Sequence, residues 1–167
     1  MVDFKWFDGE VPKGIKVTQV YGIVFTIEGR TLIKSEYIND KKIYSMAGGK
    51  PELFDADRVA TLRREFLEEV NTELCDDIYM VGYQLVNENN GKPEYAQVRM
   101  TGIIKSILKK LPDPDNGKTF DRLLTTPQRA IELLNWGESG KKQIESAYKV
   151  AHEKLGIVTT NFTDEDV

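Results

Sequence analysis

The sequence contains very few of the residues that build disulfides and histidine-based sites. Cys75 is the only cysteine and His152 the only histidine among 167 residues. A disulfide within the chain is therefore impossible, and a catalytic triad or zinc site that needs histidines is excluded. Glycine-rich fingerprints of the Walker or Rossmann type are also missing. Any catalytic chemistry must come from other side chains.

Long apolar segments are missing as well. No run approaches the roughly 18 consecutive apolar residues that a membrane-spanning helix requires, and residues 1–10 lack the pattern of a secretory signal peptide. We therefore expect a cytoplasmic protein. The net charge of −4 argues against a dedicated nucleic-acid binder, which usually carries a basic patch. The length predicts one domain, 1–167, with a sizeable core.

Residue patterns along the chain predict an α/β fold. Strands are predicted where β-branched and aromatic residues dominate, at 16–27, 31–38, 43–47, 78–87 and 95–108. The first two and the last two of these strands are expected to form hairpins. Helices are predicted at 126–135 and, after a Ser139 cap, at 140–155. The Pro- and Asp-rich segment 109–121 predicts a loop, and 161–167 a frayed end. Residues 1–15 are either an edge strand or a cap over a pocket.

The stretch 48–72, GGKPELFDADRVATLRREFLEEVNT, predicts a loop followed by an amphipathic helix. Its apolar residues recur at helical spacing: Val59, Leu62, Phe66 and Val70. Beside this stripe, Glu65, Glu68 and Glu69 stand at positions i, i+3 and i+4, within an arc of about 100°. Adjacent carboxylates offer the oxygen ligands that Mg²⁺ or Mn²⁺ needs. The alternative is a solvated helix face whose glutamates serve only solubility.

A glycine pair before this helix favours the metal hypothesis. Gly48-Gly49 follows a short apolar run, and paired glycines let the backbone approach a ligand closely. A strand, a Gly-Gly turn, a loop and a carboxylate-bearing helix together resemble a Nudix box. The pattern of that box is G-x5-E-x7-R-E-U-x-E-E-x-G-U, with U a bulky apolar residue. Five helix residues match it directly: Arg64, Glu65, Phe66, Glu68 and Glu69.

The chain departs from the pattern on both sides of these five residues. The loop between Gly49 and Arg64 is one residue longer than the pattern. The position of the early glutamate falls on Ala56, and a neighbouring aspartate, Asp55 or Asp57, is expected to take over its structural purpose. Asn71 stands in place of the late glycine, and Thr72 in place of the last apolar residue. Asn is a common substitute for Gly where a helix ends in a left-handed residue.

Similarity to Nudix hydrolases has consequences for the fold and for the activity. It implies an α/β/α sandwich with a mixed sheet, the box helix on one side and a C-terminal helical pair on the other. It also implies Mg²⁺-dependent hydrolysis, with Mn²⁺ able to substitute, of a nucleoside diphosphate linked to another moiety. The substrate is then a small phosphorylated nucleotide, and a homodimer is an option because dimers are common in the family.

The resemblance also implies roles for individual residues. Glu68 and Glu69 would be the principal metal ligands. Glu65 would be either a third ligand or the group that orients and deprotonates water. Gly48 would offer its backbone carbonyl to the metal, and Arg64 would pair with a box carboxylate in a structural role.

Outside the helix, the sequence gives weaker support for the predicted site residues. Lys50 follows the glycines and is a candidate phosphate contact, although a solvated loop lysine is an equal alternative. Nudix enzymes often take a further ligand or base from a late loop, and the segment 109–121 carries Asp113, Asp115 and Asp121. Each of these is more simply a turn-forming residue. Among them, Asp115 is retained as a candidate substrate contact.

Two functions remain open from the sequence. The intact Glu65, Glu68 and Glu69 favour an active pyrophosphohydrolase. The lost early glutamate and the lengthened loop instead favour a catalytically weak or inactive domain that binds or senses a nucleotide. The identity of the nucleoside diphosphate derivative is not encoded in any motif of the chain.

Overall fold

The computed structural model describes residues 1–167 and contains nine strands and three helices. They follow in the order β1 (Asp3–Asp8), β2 (Lys16–Gly22), β3 (Thr31–Ile38), β4 (Lys41–Ser45), β5 (Ala47–Gly49), α1 (Arg58–Val70), β6 (Thr72–Asn87), β7 (Tyr95–Ile107), β8 (Asp121–Thr125), α2 (Pro127–Leu134), α3 (Gly137–Leu155) and β9 (Glu165–Asp166).

The strands form two sheets. The larger sheet has the order β1-β6-β7-β2-β5 and is mixed, because β2 runs parallel to β7 while the other neighbours are antiparallel. The smaller sheet, in the order β4-β3-β8-β9, is antiparallel throughout. The predicted α/β class with a mixed sheet is confirmed, and the second sheet is an addition to it.

Helices α1 and α3 cover opposite faces of the larger sheet. Successive residues of a strand point to opposite faces. Val98 of β7 accordingly packs in one core with Leu62 and Phe66 of α1, whereas its neighbour Arg99 reaches Gln143 of α3. A second core lies between the sheet and the C-terminal helices α2 and α3. This is the predicted layering, with the box helix on one side and the helical pair on the other.

Helix α1 has a side-chain cap at its start and ends where its sequence predicts. The Asp57 side chain accepts the backbone N–H of Ala60 at 2.8 Å and caps the first turn. Asn71 ends the helix with φ 47° and ψ 46°, the left-handed conformation expected of it. Between these caps, Phe66 is fully buried and packs so closely on β2 that a Cβ at Gly22 would lie 2.5 Å from its ring. A residue larger than glycine would push the helix off the sheet.

The first predicted hairpin forms only at its turn, where Phe25 and Thr31 make a single antiparallel bridge. Strand β2 ends at Gly22 and pairs with β5 and β7, and β3 pairs with β4 and β8. The observed hairpin is β3–β4, where Asn39 and Asp40 both have positive φ, as a tight two-residue turn requires. Alternating apolar residues predict that a strand exists, but they do not specify its partner. The second predicted hairpin is confirmed as β6–β7.

The C-terminal part differs from the prediction in three places. Strand β8 lies directly after the predicted loop and was not expected. Helix α3 begins at Gly137, so Ser139 lies inside the first turn and does not cap it. The end of the chain is not frayed, because β9 pairs with β8 and Glu165 forms an ion pair with Arg30 at 3.0 Å. The two strands share one cause, since each depends on a contact with a distant part of the chain.

The N-terminal segment contributes β1, an edge strand of the larger sheet. None of the three helices is long and apolar enough to cross a membrane.

Candidate active site

Two of the box glutamates, Glu65 and Glu69, lie against β5, whereas Glu68 lies beside the loop that carries Asp113 and Asp115. Glu65 and Glu69 are buried, and Glu68 is partly exposed. The close approach of helix and strand depends on Gly49, because a Cβ built there would lie 2.4 Å from the carboxyl group of Glu65. The glycine pair therefore serves to admit a carboxylate to the backbone of β5.

Arg64 is the centre of an ion-pair cluster on this helix. Its guanidinium donates to both oxygens of Asp55, with Nε–Oδ1 at 3.1 Å and Nη2–Oδ2 at 2.9 Å. The same group donates to Glu65 at 2.9 Å, to Glu68 at 3.1 Å and to the carbonyl of Lys50 at 2.9 Å. One side chain thus joins the loop before α1 to two of the box glutamates.

Burial and mutual repulsion shift the titration of these carboxyl groups. Burial raises the pKa of Glu65 to about 7, against the lowering effect of Arg64 and with help from the charges of Glu69 and Glu68. Burial also raises the pKa of Glu68, opposed by Arg64. Hydrogen bonds from Arg64 hold the pKa of Asp55 well below its ordinary value. Asp55 therefore stays ionised as the counter-charge of Arg64, while Glu65 is the carboxyl group that takes up a proton most readily.

Glu69 is engaged at both oxygens by donors of the chain itself. Oε1 accepts the backbone N–H of Gly48 at 2.8 Å, and Oε2 pairs with the ammonium of Lys34. Lys34 lies on β3, and its Nζ also stands 4.0 Å from the centroid of the Phe120 ring. No sequence signal identifies Lys34, because it is separated from Glu69 by 35 residues and lies on a strand of the smaller sheet.

The late loop brings two aspartates to Glu68. Each of Glu68, Asp113 and Asp115 has a carboxylate oxygen within 4.8 Å of the corresponding oxygens of the other two. Asp121, by contrast, starts β8 and pairs with Lys110 at 3.0 Å. Three carboxylates at this spacing are the donor set that Mg²⁺ or Mn²⁺ prefers. Of the predicted metal ligands, the structure places only Glu68 in this group.

The loop is held in place by the residue that ends α1. Oδ1 of Asn71 accepts the backbone N–H of Leu111 at 2.8 Å, and the Asn71 carbonyl accepts the N–H of Leu108 at 2.8 Å. Asp113 in turn accepts the N–H of Asp115 at 2.8 Å, so the turn-forming interpretation of Asp113 also holds. The same bonds that shape the loop bring its carboxylates to the helix.

Known proteins match this chain in structure but not in sequence. No protein-family model matches the chain, and no curated protein matches its sequence. Solved structures do match it. A NUDIX hydrolase from Nitrosomonas europaea superposes with a TM-score of 0.60 at 14% identity, over 80% of this chain and 90% of the other. The chain has the Nudix fold.

Two further structures agree with this assignment. MutT, described for Aliivibrio salmonicida and Vibrio cholerae, has a TM-score of 0.56 at 12% identity, over 80% of this chain and 98% of the other. The pyrophosphohydrolase BsRppH of Bacillus subtilis has a TM-score of 0.50 at 17% identity, over 64% of this chain and 63% of the other. The resemblance drawn from the box is confirmed at the level of the fold.

The departures of this Nudix box from its pattern have structural explanations. Asp55, not Asp57, binds Arg64, and Asp57 caps the helix instead. Five residues separate Gly49 from Asp55, as in the pattern, so the extra residue lies between Asp55 and Arg64. Asn71 adopts the left-handed conformation that glycine would otherwise supply. The box is therefore intact as a structural unit.

A cavity of about 410 Å³ lies between the larger sheet and the start of α3 and was not predicted. We call it the Arg99 cavity; the lining residues that matter here are Phe4, Tyr21, Gln84, Arg99, Trp136 and Gln143. Tyr21 joins it to the box, because a Cβ at Gly48 would lie 2.7 Å from the Tyr21 ring. Phe4 belongs to β1, so the N-terminal segment is both an edge strand and part of a pocket wall. Lys50 lines a separate, smaller cavity of about 190 Å³.

Proposed function

We propose that residues 1–167 form a single Nudix hydrolase domain. Its reaction is the hydrolysis of a diphosphate linkage in a nucleoside diphosphate joined to another moiety, with Mg²⁺ as cofactor and Mn²⁺ able to substitute. The observation that carries this proposal is the group Glu68, Asp113 and Asp115, which stands beside Glu65 and the glycine pair on a Nudix fold.

The donor chemistry of the carboxylate group fits a divalent cation. A bound cation would neutralise the diphosphate and acidify a water molecule. Glu68 is the central ligand in this proposal, joined by Asp113 and Asp115. The Gly48 carbonyl, Glu65 and Glu69 remain predicted ligands, and Glu69 would first have to release Lys34.

Glu65 is proposed to accept the proton of the attacking water. It lies against the backbone of Gly49, outside the group formed by Glu68 and the two aspartates. Its carboxylate is held by the Arg64 guanidinium at 2.9 Å, so its orientation is defined. A base held next to the metal ligands is what water activation at phosphorus requires.

The substrate in this proposal is a small phosphorylated nucleotide. Lys50 remains a predicted phosphate contact because its side chain is exposed beside the box. Asp115 remains a predicted substrate contact, although its place beside Glu68 supports a metal ligand better. A cytoplasmic location and a homodimer also remain predictions.

One observation favours the second candidate, a Nudix-fold domain that binds a nucleotide with little or no turnover. Lys34 neutralises Glu69, one of the two principal ligands implied by the box. A fixed ammonium at this position lowers the attraction of the site for a cation. The two candidates differ in turnover and share nucleotide binding.

A release assay distinguishes them. Phosphate and pyrophosphate are measured, with a coupled phosphatase, over nucleoside triphosphates, nucleotide sugars and dinucleoside polyphosphates, with Mg²⁺ and with Mn²⁺. We expect metal-dependent turnover that Glu68→Gln lowers roughly 100-fold or more, while the exposed Glu153→Gln on α3 leaves it unchanged. Binding of a nucleotide without turnover of any compound would establish the second candidate instead.

A Mn²⁺ titration distinguishes the proposed metal ligands from the proposed catalytic base. Glu68→Gln and Asp113→Asn are expected to weaken Mn²⁺ binding, followed by electron paramagnetic resonance. Glu65→Gln is expected to abolish turnover and to keep Mn²⁺ affinity near that of the unsubstituted protein. A loss of affinity in Glu65→Gln would make Glu65 a ligand.

A further inference from the structure

Arg99 is a buried cation that no carboxylate neutralises. The residue is 3% exposed, and none of the ion pairs of the protein includes it. Its guanidinium lies 4.6 Å from the centroid of the Tyr21 ring. Burial lowers its pKa to about 10, so it remains charged at neutral pH. A buried charge without a counter-ion is costly, and proteins rarely retain one.

The hydrogen bonds of Arg99 form a closed ring around the cavity wall. Nε donates to Gln143 at 2.8 Å, and Nη2 donates to Gln84 at 3.3 Å. Both glutamines turn their amide N–H groups to the hydroxyl of Ser139, at 3.1 Å and 3.4 Å. The ring fixes the amide orientations, with each side-chain carbonyl towards Arg99.

This arrangement leaves free hydrogen-bond donors in the cavity wall. A guanidinium has five N–H groups, and Arg99 makes three hydrogen bonds, the third from Nη1 to the carbonyl of Gln97 at 3.3 Å. Each Nη therefore keeps one free N–H, and so does each of the amides of Gln84 and Gln143. The first turn of α3, which has no side-chain cap, adds the positive end of its dipole.

Arg122 shows how the chain buries an arginine that has only a structural task. It too is buried, at 5% exposure, and no carboxylate side chain pairs with it. Its guanidinium, however, donates at 2.9 Å and 2.7 Å to the backbone carbonyls of Val70 and Leu108 and at 3.0 Å to the oxygen of Val167, which ties three segments together. Two of the three hydrogen bonds of Arg99 are long, at 3.3 Å, and two of its three partners are side chains of the cavity wall, so its charge is directed at the cavity.

We propose that the Arg99 cavity binds a carboxylate or phosphate oxyanion, carried by a ligand whose apolar or planar body packs on Phe4 and Trp136. The oxyanion accepts the free N–H groups of Arg99, Gln84 and Gln143 and supplies the missing negative charge. Phe4 and Trp136, 54% and 38% exposed, offer the apolar surface at the cavity mouth.

The cavity adjoins the box through Tyr21, so the oxyanion would belong to the substrate moiety attached to the diphosphate. This second step rests on the function proposed above. Oxyanion binding itself does not, and it is tested without metal and without turnover.

Three small probes of similar size distinguish the chemistry: benzoate, phenyl phosphate and the neutral benzamide. Each is titrated in EDTA into the protein with Trp6→Phe, so that Trp136, the remaining tryptophan, reports binding by its fluorescence. We expect benzoate or phenyl phosphate, or both, to bind at least about tenfold more tightly than benzamide, because hydrogen bonds to a charged group are the stronger ones. The better of the two anions identifies the oxyanion.

Two variants of the cavity and one control complete the test. Arg99→Gln removes the cation, and Gln143→Glu gives Arg99 a carboxylate of its own in place of the ligand. Both are expected to lose at least about tenfold in anion affinity, while the exposed Arg129→Gln keeps it. Thermal melting verifies that Gln143→Glu is folded. Equal binding of benzamide, no binding of any probe, or unchanged anion binding in Gln143→Glu would overturn the proposal.

Discussion

Two arginines in this protein are surrounded in opposite ways. Arg64 donates to three carboxylates, Asp55, Glu65 and Glu68, and the excess charge around it is negative. Arg99 is more deeply buried and meets only amide and carbonyl oxygens and the Tyr21 ring. The first cluster attracts a cation, and the second attracts an anion. A diphosphate compound with an acidic second moiety, bound through a metal ion, would complement both.

The largest expected difference is in stability. Arg64→Met leaves Asp55, Glu65 and Glu68 without their counter-charge, and we expect the free energy of unfolding to fall by about 3 kcal/mol or more. Arg99→Met leaves only amide oxygens unpaired, and we expect a loss of about 1 kcal/mol. Urea denaturation at pH 7 in EDTA measures both. Equal losses would mean that the two environments do not differ as the contacts indicate.

The pH dependence of stability is a second way to compare the surroundings of Arg64 with those of Arg99. Because burial raises the pKa of folded Glu65 to about 7, Glu65 is protonated in the folded protein and ionised in the unfolded chain between its ordinary value, 4.5, and 7. Stability therefore falls as pH rises through this window, by up to about 3 kcal/mol.

Denaturation of the metal-free protein between pH 5 and 8 tests this slope. Glu65→Gln is expected to flatten it, because the titrating carboxyl group is gone. Arg99→Gln is expected to keep the slope of the unsubstituted protein, since no carboxylate adjoins Arg99. A slope that survives in Glu65→Gln would assign it to another group.

Gly49→Ala tests whether the position of Glu65 matters more for turnover than for stability. The added Cβ would displace the Glu65 carboxylate, which is the mobile end of its side chain. We expect kcat/KM to fall about 10- to 100-fold, with a melting temperature close to that of the unsubstituted protein. Gly91→Ala, in an open turn with φ 81°, is the control: it is strained and lowers the melting temperature, but it keeps kcat/KM. A large loss of stability with unchanged kcat/KM would contradict this role.

The smallest expected effect concerns Asn71, which anchors the loop that carries Asp113. Asn71→Gly keeps the left-handed helix end but loses the side-chain bonds to Leu67 and Leu111. We expect it to cost less than about 1 kcal/mol, whereas Asn71→Ala, strained at positive φ, costs about 1–2 kcal/mol. Thermal denaturation measures the stability of both variants. If Asn71→Gly were less stable than Asn71→Ala, the side-chain hydrogen bonds of Asn71 would contribute more to stability than its left-handed backbone conformation does.

Local patterns predicted α1 well because its signals lie close together in the chain. The stripe from Leu62 to Val70 and the Asn71 terminus act over one turn of helix or a few turns. The β6–β7 hairpin was predictable for the same reason, since a short turn joins its strands. Of the predicted hairpin of 16–27 with 31–38, only the Phe25–Thr31 bridge forms, because pairing is decided by which strand faces which across the sheet.

The sequence by itself determined the α/β class, the box helix, its three glutamates and the glycine pair that admits them. Only the tertiary structure decided that Lys34 neutralises Glu69, that Asp113 and Asp115 join Glu68, and that Arg99 lines a cavity without a counter-charge. The physical reason is the range of the interactions. Helix caps and periodicity act between near neighbours, whereas a site is assembled from side chains that folding brings together from distant strands and loops.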